Sequence, residues 1–171
     1  MKPPELVILV GIPASGKTTY YRRHLEPHYL HVSLDNWRGK SNVRPKERKA
    51  IEGALAAAGD SGGKIRGVVV DNTNTTEATR RRYFDYAAEF ARITGRPVRV
   101  IAQFFDEDLE SCLARNAPRP ADAAPGAPYF VPPEAIRRFA HMLQPPRREE
   151  GFEKIFRLRI NADGHFDVTQ T

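Results

Sequence analysis

The sequence predicts an α/β fold in which a mainly parallel five-stranded sheet carries helices on both faces. Aliphatic runs at residues 6–10, 29–33, 68–70 and 98–105 lack polar alternation, as strands buried on both faces do. Helical stretches separate these runs, and strands alternating with helices build a parallel sheet through right-handed crossovers. With 40% hydrophobic residues, nine Phe and six Tyr in 171 positions, the chain can bury a full core. The single cysteine, Cys112, forms no internal bridge, and the five histidines are scattered without metal-ligand spacing.

Residues 6–10 end at Gly11, and residues 17–25 form the helix that follows. Residues 29–33 lead to Asp35, and the Ala-rich stretch 45–58 forms the next helix. Residues 68–70 end at Asp71, before a helix over 76–93 that sets Tyr83, Ala87, Phe90 and Phe84 toward one face. Asn74 with Glu77 three residues on has the form of a capping box at that helix's start. Past Asp106 a short helix over 107–116 precedes a Pro- and Ala-rich stretch to Tyr129, which cannot hold a regular helix and reads as a mobile surface loop or lid. A helix over 132–143 follows, with Pro132 and Pro133 in its first turn. Residues 152–160 alternate as a final strand, and the residues from Asn161 form a short tail or edge hairpin. One domain over residues 1–171 is expected, with a lid at about 107–131.

The composition excludes several classes. The longest early apolar run spans five residues, far short of the roughly 20 of a membrane span. No membrane association is expected, and a lone cysteine suits a reducing, cytoplasmic setting. A formal charge of +6 arises from 27 Lys and Arg against 21 Asp and Glu. This basic excess fits a polyanionic partner or a simple compositional bias toward arginine, since charge governs association and not fold.

Gly11-Ile12-Pro13-Ala14-Ser15-Gly16-Lys17-Thr18 matches the G-x-x-x-x-G-K-[ST] pattern between an aliphatic strand and a helix. The glycines let successive backbone N–H groups turn toward phosphate oxygens. The residues expected to hold ATP are Gly11, Pro13, Ala14, Ser15, Gly16, Lys17, Thr18 and Thr19. Lys17 would bridge the β- and γ-phosphates, and the Thr18 hydroxyl would ligate Mg²⁺. Asp71, closing its strand, would order the metal through water or else is a plain turn residue.

A kinase needs a carboxylate within reach of the acceptor hydroxyl, and such groups sit past the carboxyl ends of strands. Asp35 meets that condition. If a helix starts there, Asp35 and Arg38 share one face and suit an acceptor bearing a hydroxyl and a neighbouring phosphate; otherwise Asp35 is an N-cap and Arg38 its solvated partner. Trp37 either stacks on a terminal base or fills core. Arg80, Arg81 and Arg82 wrap most of a helical turn, so at least one faces inward or snorkels. Alternatively, they form a solvated strip or a phosphate-contacting one.

The Gly11 to Thr18 loop, then Val32-Ser33-Leu34-Asp35 with Arg38, Val70-Asp71-Asn72-Thr73-Asn74, Val131-Pro132 and Glu150-Gly151-Phe152 resemble, in order, the motifs of the 5′-hydroxyl polynucleotide kinase family. The resemblance implies a P-loop kinase-type three-layer sandwich with a lid. It implies transfer of the ATP γ-phosphoryl group to a 5′-OH end of DNA or RNA, with Asp35 as general base and Arg38 on the next phosphate. It further implies a catalytic lid arginine, for which Arg115 and Arg119 are the candidates; Pro118 and Pro120 break the lid helix, which favours Arg115. The D-x-D-G-T string of the phosphatase domain carried by several family members has no match here. A P-loop kinase for a small hydroxylated metabolite and a non-catalytic nucleotide-binding switch remain the alternatives.

Overall fold

A computed structural model describes residues 2–60, 62–124 and 127–171. Strands β1 (Glu5–Val10), β2 (Tyr29–Val32), β3 (Gly67–Asp71), β4 (Arg99–Phe105), β5 (Lys154–Ile160) and β6 (Phe166–Gln170) form a single sheet in the order β2-β3-β1-β4-β5-β6. The first five are mutually parallel, as the continuous aliphatic runs require. The sheet has six strands where five were expected, the sixth being the edge hairpin that is one of the two readings of the residues from Asn161. The chain turns at Asn161 and Gly164 and returns antiparallel along β5, so the exposed edge of β5 gains hydrogen-bond partners.

Each central strand feeds two cores because successive side chains leave opposite faces. Leu6, Ile8 and Val10 join Val68 and Val70 under helices α2 (Val43–Asp60) and α3 (Glu77–Thr94), through Ile51, Leu55, Tyr83 and Phe90. Val7, Leu9 and Val69 meet Tyr20, Tyr21 and Leu25 on the other side. Those last residues come from one helical run that changes geometry. It is α-helical over α1 (Lys17–Tyr20) and π-helical over Tyr21–Leu25, where the wider turn lets the adjacent Tyr20 and Tyr21 both point into the core.

The capping box expected at Asn74 is not formed. Thr76 caps α3 by accepting from the N–H of Thr79, while Asn74 takes φ 47° and donates to the carbonyl of Leu9 at 2.8 Å. Of the three consecutive arginines, Arg80 turns fully inward, where Nε and Nη2 grip Glu150 at 2.7 and 2.6 Å. Arg81 stays outside beside Asp85, and Arg82 reaches Glu47.

A third layer covers the carboxyl edge of the sheet. Cys112 on α4 (Leu109–Asn116) and Ile136 on α5 (Pro133–Met142) pack against Ile12 and Ala14 of the Gly11 to Thr18 loop. Asn116, buried at the end of α4, bonds both the carbonyl and the N–H of Val131, at 2.7 and 3.0 Å, and so pins the two ends of the Pro-rich segment together. Pro125 and Gly126, inside the expected lid, lie outside the described residues.

Candidate active site

The strand order sets β3 between β1 and β2, so whatever follows their carboxyl ends converges on one edge. Past β1 the chain wraps through Ala14 (φ 65°) and Gly16 (φ 96°) into α1. The left-handed turn at Gly16 suits glycine, and a Cβ there would stand 3.0 Å from Ile160 and 3.2 Å from the Phe166 ring. Gly11 is as tightly held, since a Cβ would come within 2.7 Å of Ser15 Oγ. The buried Lys17 Nζ donates to the carbonyls of Gly11 and Ile12 at 3.0 and 2.8 Å and to Ser15 Oγ at 3.3 Å. Burial pushes its pKa down to about 8, against the opposing pull of Asp71.

Asp71 closes β3, buried, and its Oδ2 accepts from the Thr18 hydroxyl at 2.6 Å. His31 Nε2 lies 3.0 Å from the same oxygen, with its ring stacked on Tyr21 at 4.3 Å. Burial raises the carboxyl, but the bonds from His31 and Thr18 and the Lys17 charge outweigh it and hold Asp71 below the usual range. Two hard oxygens meeting beside a lysine suit Mg²⁺, which takes few protein ligands and fills its shell with phosphates and water. Among the described residues no cluster of three His, Cys, Asp or Glu could hold an ion by itself.

Past β2, a short 3₁₀ turn spans Leu34–Trp37. Ser33, and not Asp35, is its N-cap: Ser33 Oγ accepts from the Asp35 N–H, so the Asp35 carboxylate is not used in the cap. The Leu34 N–H donates to Asn72 Oδ1 at 2.8 Å, and Asn72 Nδ2 donates to the fully buried Glu47 and to Tyr83 OH, both at 3.1 Å. This chain of bonds ties the turn carrying Asp35 to β3 and α2. Burial, then the Asp71 charge, raise the Asp35 pKa above the ordinary carboxylate value, with Arg38, Tyr129 and Lys17 opposing.

A cleft of about 290 Å³ joins these groups. Pro13, Ala14, Gly16, Lys17, Thr18 and Thr19 of the loop and helix line it, together with Asp35, Asp71, Asn72, Arg119 and Tyr129. Gly11 and Ser15 of the loop, both expected to hold ATP, do not line the cleft. Arg38 borders the cleft, donating to the carbonyl of Ala123 at 2.7 Å and lying over the Tyr129 ring. Trp37 packs against the core under α2 and does not line the cleft, so the structure brings its ring to the apolar side of the two readings.

The two lid arginines part company. Arg115 is held by Glu107 at 2.7 Å, and Glu107 also accepts from the Ile160 N–H, so Arg115 braces the base of the lid outside the cleft. Arg119, in the turn beyond α4, lines the cleft, and among the described residues no carboxylate pairs with it. Burial and the nearby Arg115 hold its pKa below the ordinary arginine value.

His31, Asn72 and Tyr129 escaped the sequence reading as site residues. A polar residue inside an aliphatic strand marks His31, and Asn72 adjoins Asp71 in the quoted motif; Tyr129 had no comparable signal.

A family model described as AAA domain (AAA_33) matches residues 6–146. The chain is 32% identical over 158 residues to the bifunctional polynucleotide phosphatase/kinase of Schizosaccharomyces pombe, covering 88% of this chain and 32% of that protein. It therefore spans about a third of that relative's length. The sequence resemblance to polynucleotide kinases is borne out at this level. The crystal structure of a fungal RNA kinase superposes with a TM-score of 0.65 at 18% identity, over 92% of this chain and 38% of that one. A chain of the Pnkp1/Rnl/Hen1 RNA repair complex gives 0.62 at 22%, over 84% of this chain and 45% of that one. Both carry the same P-loop kinase-type sheet. Since the matched span runs from the second residue of β1 past the whole of α5, taking in the phosphate loop, Asp35, Asp71 and both lid arginines, the chain belongs to the AAA domain family.

Proposed function

We propose that this chain is an ATP-dependent 5′-polynucleotide kinase domain, which transfers the γ-phosphoryl group to a 5′-OH end of DNA or RNA. The observation that carries this reading is one cleft lined by both Lys17 and Asp35. The backbone N–H groups of the loop and Lys17 would hold the triphosphate, with Thr18 and, through water, Asp71 holding Mg²⁺, which offsets charge on the phosphates when bound. Asp35 would accept the proton of the terminal hydroxyl as its oxygen bonds to the γ-phosphorus and the bond to the ADP oxygen breaks. Arg38, three residues along the same turn, would bind the phosphate one nucleotide on. Arg119, a half-buried cation with no carboxylate partner among the described residues, suits the charge that spreads over the transferring phosphoryl group. Such an arginine is worth roughly 10³ to 10⁵ in rate, about 4 to 7 kcal/mol. The polynucleotide kinase similarity favours this acceptor over a small hydroxylated metabolite.

The experiment is transfer of labelled phosphate from ATP, with Mg²⁺, to 5′-hydroxyl oligonucleotides and to a panel of metabolites. Transfer to the oligonucleotide alone, abolished by Lys17→Ala, is expected. Asp35→Asn should abolish transfer and leave ATP affinity nearly unchanged, because a base acts on chemistry. Transfer only to metabolites would overturn the reading.

A further inference from the structure

The chain's net charge is concentrated beside the acceptor side of the cleft. Residues 38–49 hold six cations, Arg38, Lys40, Arg44, Lys46, Arg48 and Lys49, against one anion, Glu47, while the whole chain of 171 residues carries a formal charge of only +6. Outside this segment, positive and negative charges nearly cancel. Glu47 is fully buried and bonds Asn72, Tyr83 and Arg44, so its charge adds nothing to the outer surface beside the cations.

The geometry of α2 orders that surface. Glu47, Ile51, Ala54 and Ala58 face the sheet. At 100° per residue Lys49 stands opposite Glu47, and Lys46, three residues before it, is its neighbour on the outer ridge. Arg44 and Arg48 have carboxylate neighbours in Glu47 and Glu52. Lys40, Lys46 and Lys49 are exposed, and no carboxylate pairs with them among the described residues. Because Glu47 bonds Asn72, which lines the cleft, the ridge stands within about one helix diameter, roughly 10 to 12 Å, of the cleft wall.

We infer that Lys40, Lys46 and Lys49 form a phosphate track that continues from Arg38 and holds the single-stranded acceptor several nucleotides beyond its 5′ end. This rests on the kinase reading above and goes beyond it, since it makes the preferred acceptor an oligonucleotide and not a mononucleotide. The lysines are point charges without a fork to read bases, so the track is indifferent to sequence. The chemistry recognised is a run of phosphodiesters, shared by DNA and RNA.

The test compares the wild type with Lys40→Gln/Lys46→Gln/Lys49→Gln on two acceptors, a 5′-hydroxyl oligonucleotide of about ten nucleotides and a nucleoside 3′-monophosphate. Each phosphate contact on a single strand adds about 0.7 to the slope of log affinity against log salt, so losing three flattens it by about 2. Between 50 and 200 mM salt the wild-type KM for the oligonucleotide should therefore rise about 20-fold more than that of the variant. The KM for the nucleoside 3′-monophosphate should be the same in both proteins. An unchanged salt slope, or an equal change on the two acceptors, overturns the track. Binding of a fluorescent oligonucleotide, read by anisotropy over the same salt range, separates the two claims. If the wild type transfers to no 5′-OH end, the kinase reading fails, while a salt-dependent affinity lost in the variant still supports the track and an unaltered affinity overturns it.

Discussion

The guanidinium carbon of Arg38 lies 4.1 Å from the centre of the Tyr129 ring, and the hydroxyl of the same tyrosine donates to Asp35 Oδ1 at 3.4 Å. One aromatic ring from the lid thus touches both groups proposed to meet the acceptor. A cation over a ring is worth about 0.5 to 2 kcal/mol, a factor of about 2 to 30. Tyr129→Phe keeps the ring and loses only a long hydrogen bond, so its KM for an oligonucleotide acceptor should stay within about twofold. Tyr129→Ala should raise that KM by about tenfold with kcat less affected. Steady-state kinetics on both variants check this, and equal effects would remove the ring from the account.

The separation of Arg119 from Arg115 gives a second expectation. Arg119→Ala should lower kcat by on the order of 10³ with the melting midpoint unmoved, since among the described residues no carboxylate pairs with its side chain. Arg115→Ala loses the bond to Glu107, a partly exposed pair, and should cost about 1 kcal/mol, or about 2 to 4 °C, with a far smaller loss of kcat. Kinetics beside thermal melts decide it. The reverse pattern would return the phosphoryl-stabilising role to Arg115.

The pH profile follows from two groups that line the cleft, Asp35 and Lys17. A base works deprotonated, and burial with the Asp71 charge lifts Asp35 above the ordinary carboxylate value. The acidic limb of kcat/KM should accordingly lie above the roughly 3.9 of a free aspartate. Lys17 works protonated, and burial lowers it to about 8, so kcat/KM should fall on the alkaline side near pH 8. Bound phosphates favour the charged lysine, and the corresponding limb of kcat should stand higher. An alkaline limb in kcat/KM beyond about pH 10, the value of an unperturbed lysine, would contradict the burial argument.

Stability offers a test away from the cleft. Arg80 and Glu150 bury both charges completely or nearly so and satisfy each other through two bonds. Arg80→Met strands the carboxylate and should cost about 3 to 5 kcal/mol in denaturant unfolding. Removing Glu150 as well, by a Glu150→Met change in the same chain, should recover most of that loss. Without recovery, the arginine's bonds to the carbonyls of Asn74 and Gln144 would be the larger contribution.

Much of this architecture was legible because its signals are local. Residues 6–10 and 68–70 read as strands since a strand covered on both faces has no polar positions to interrupt it, and the Gly11 to Thr18 string is contiguous. Asp35 and Asp71 were found because strand ends announce themselves. The unread parts depend on contacts between distant positions. Tyr129 meets Asp35 across 94 residues and Arg38 meets Ala123 across 85, and no periodicity encodes either. The cap at Thr76 was missed because Asn74 looked like a cap while its side chain was committed to Leu9. The sixth strand was weakly signalled, since after Phe166 only Val168 is apolar, and it is exposed.

Ile160 and Phe166 come to rest against Gly16, so the floor beneath the phosphate loop is made of residues almost the whole chain away from it. Two ends of one rigid contact must respond together. A nucleotide that clamps the loop should therefore slow amide exchange along the outer hairpin of β5 and β6, and loosening that hairpin should weaken the grip on nucleotide by the same free energy.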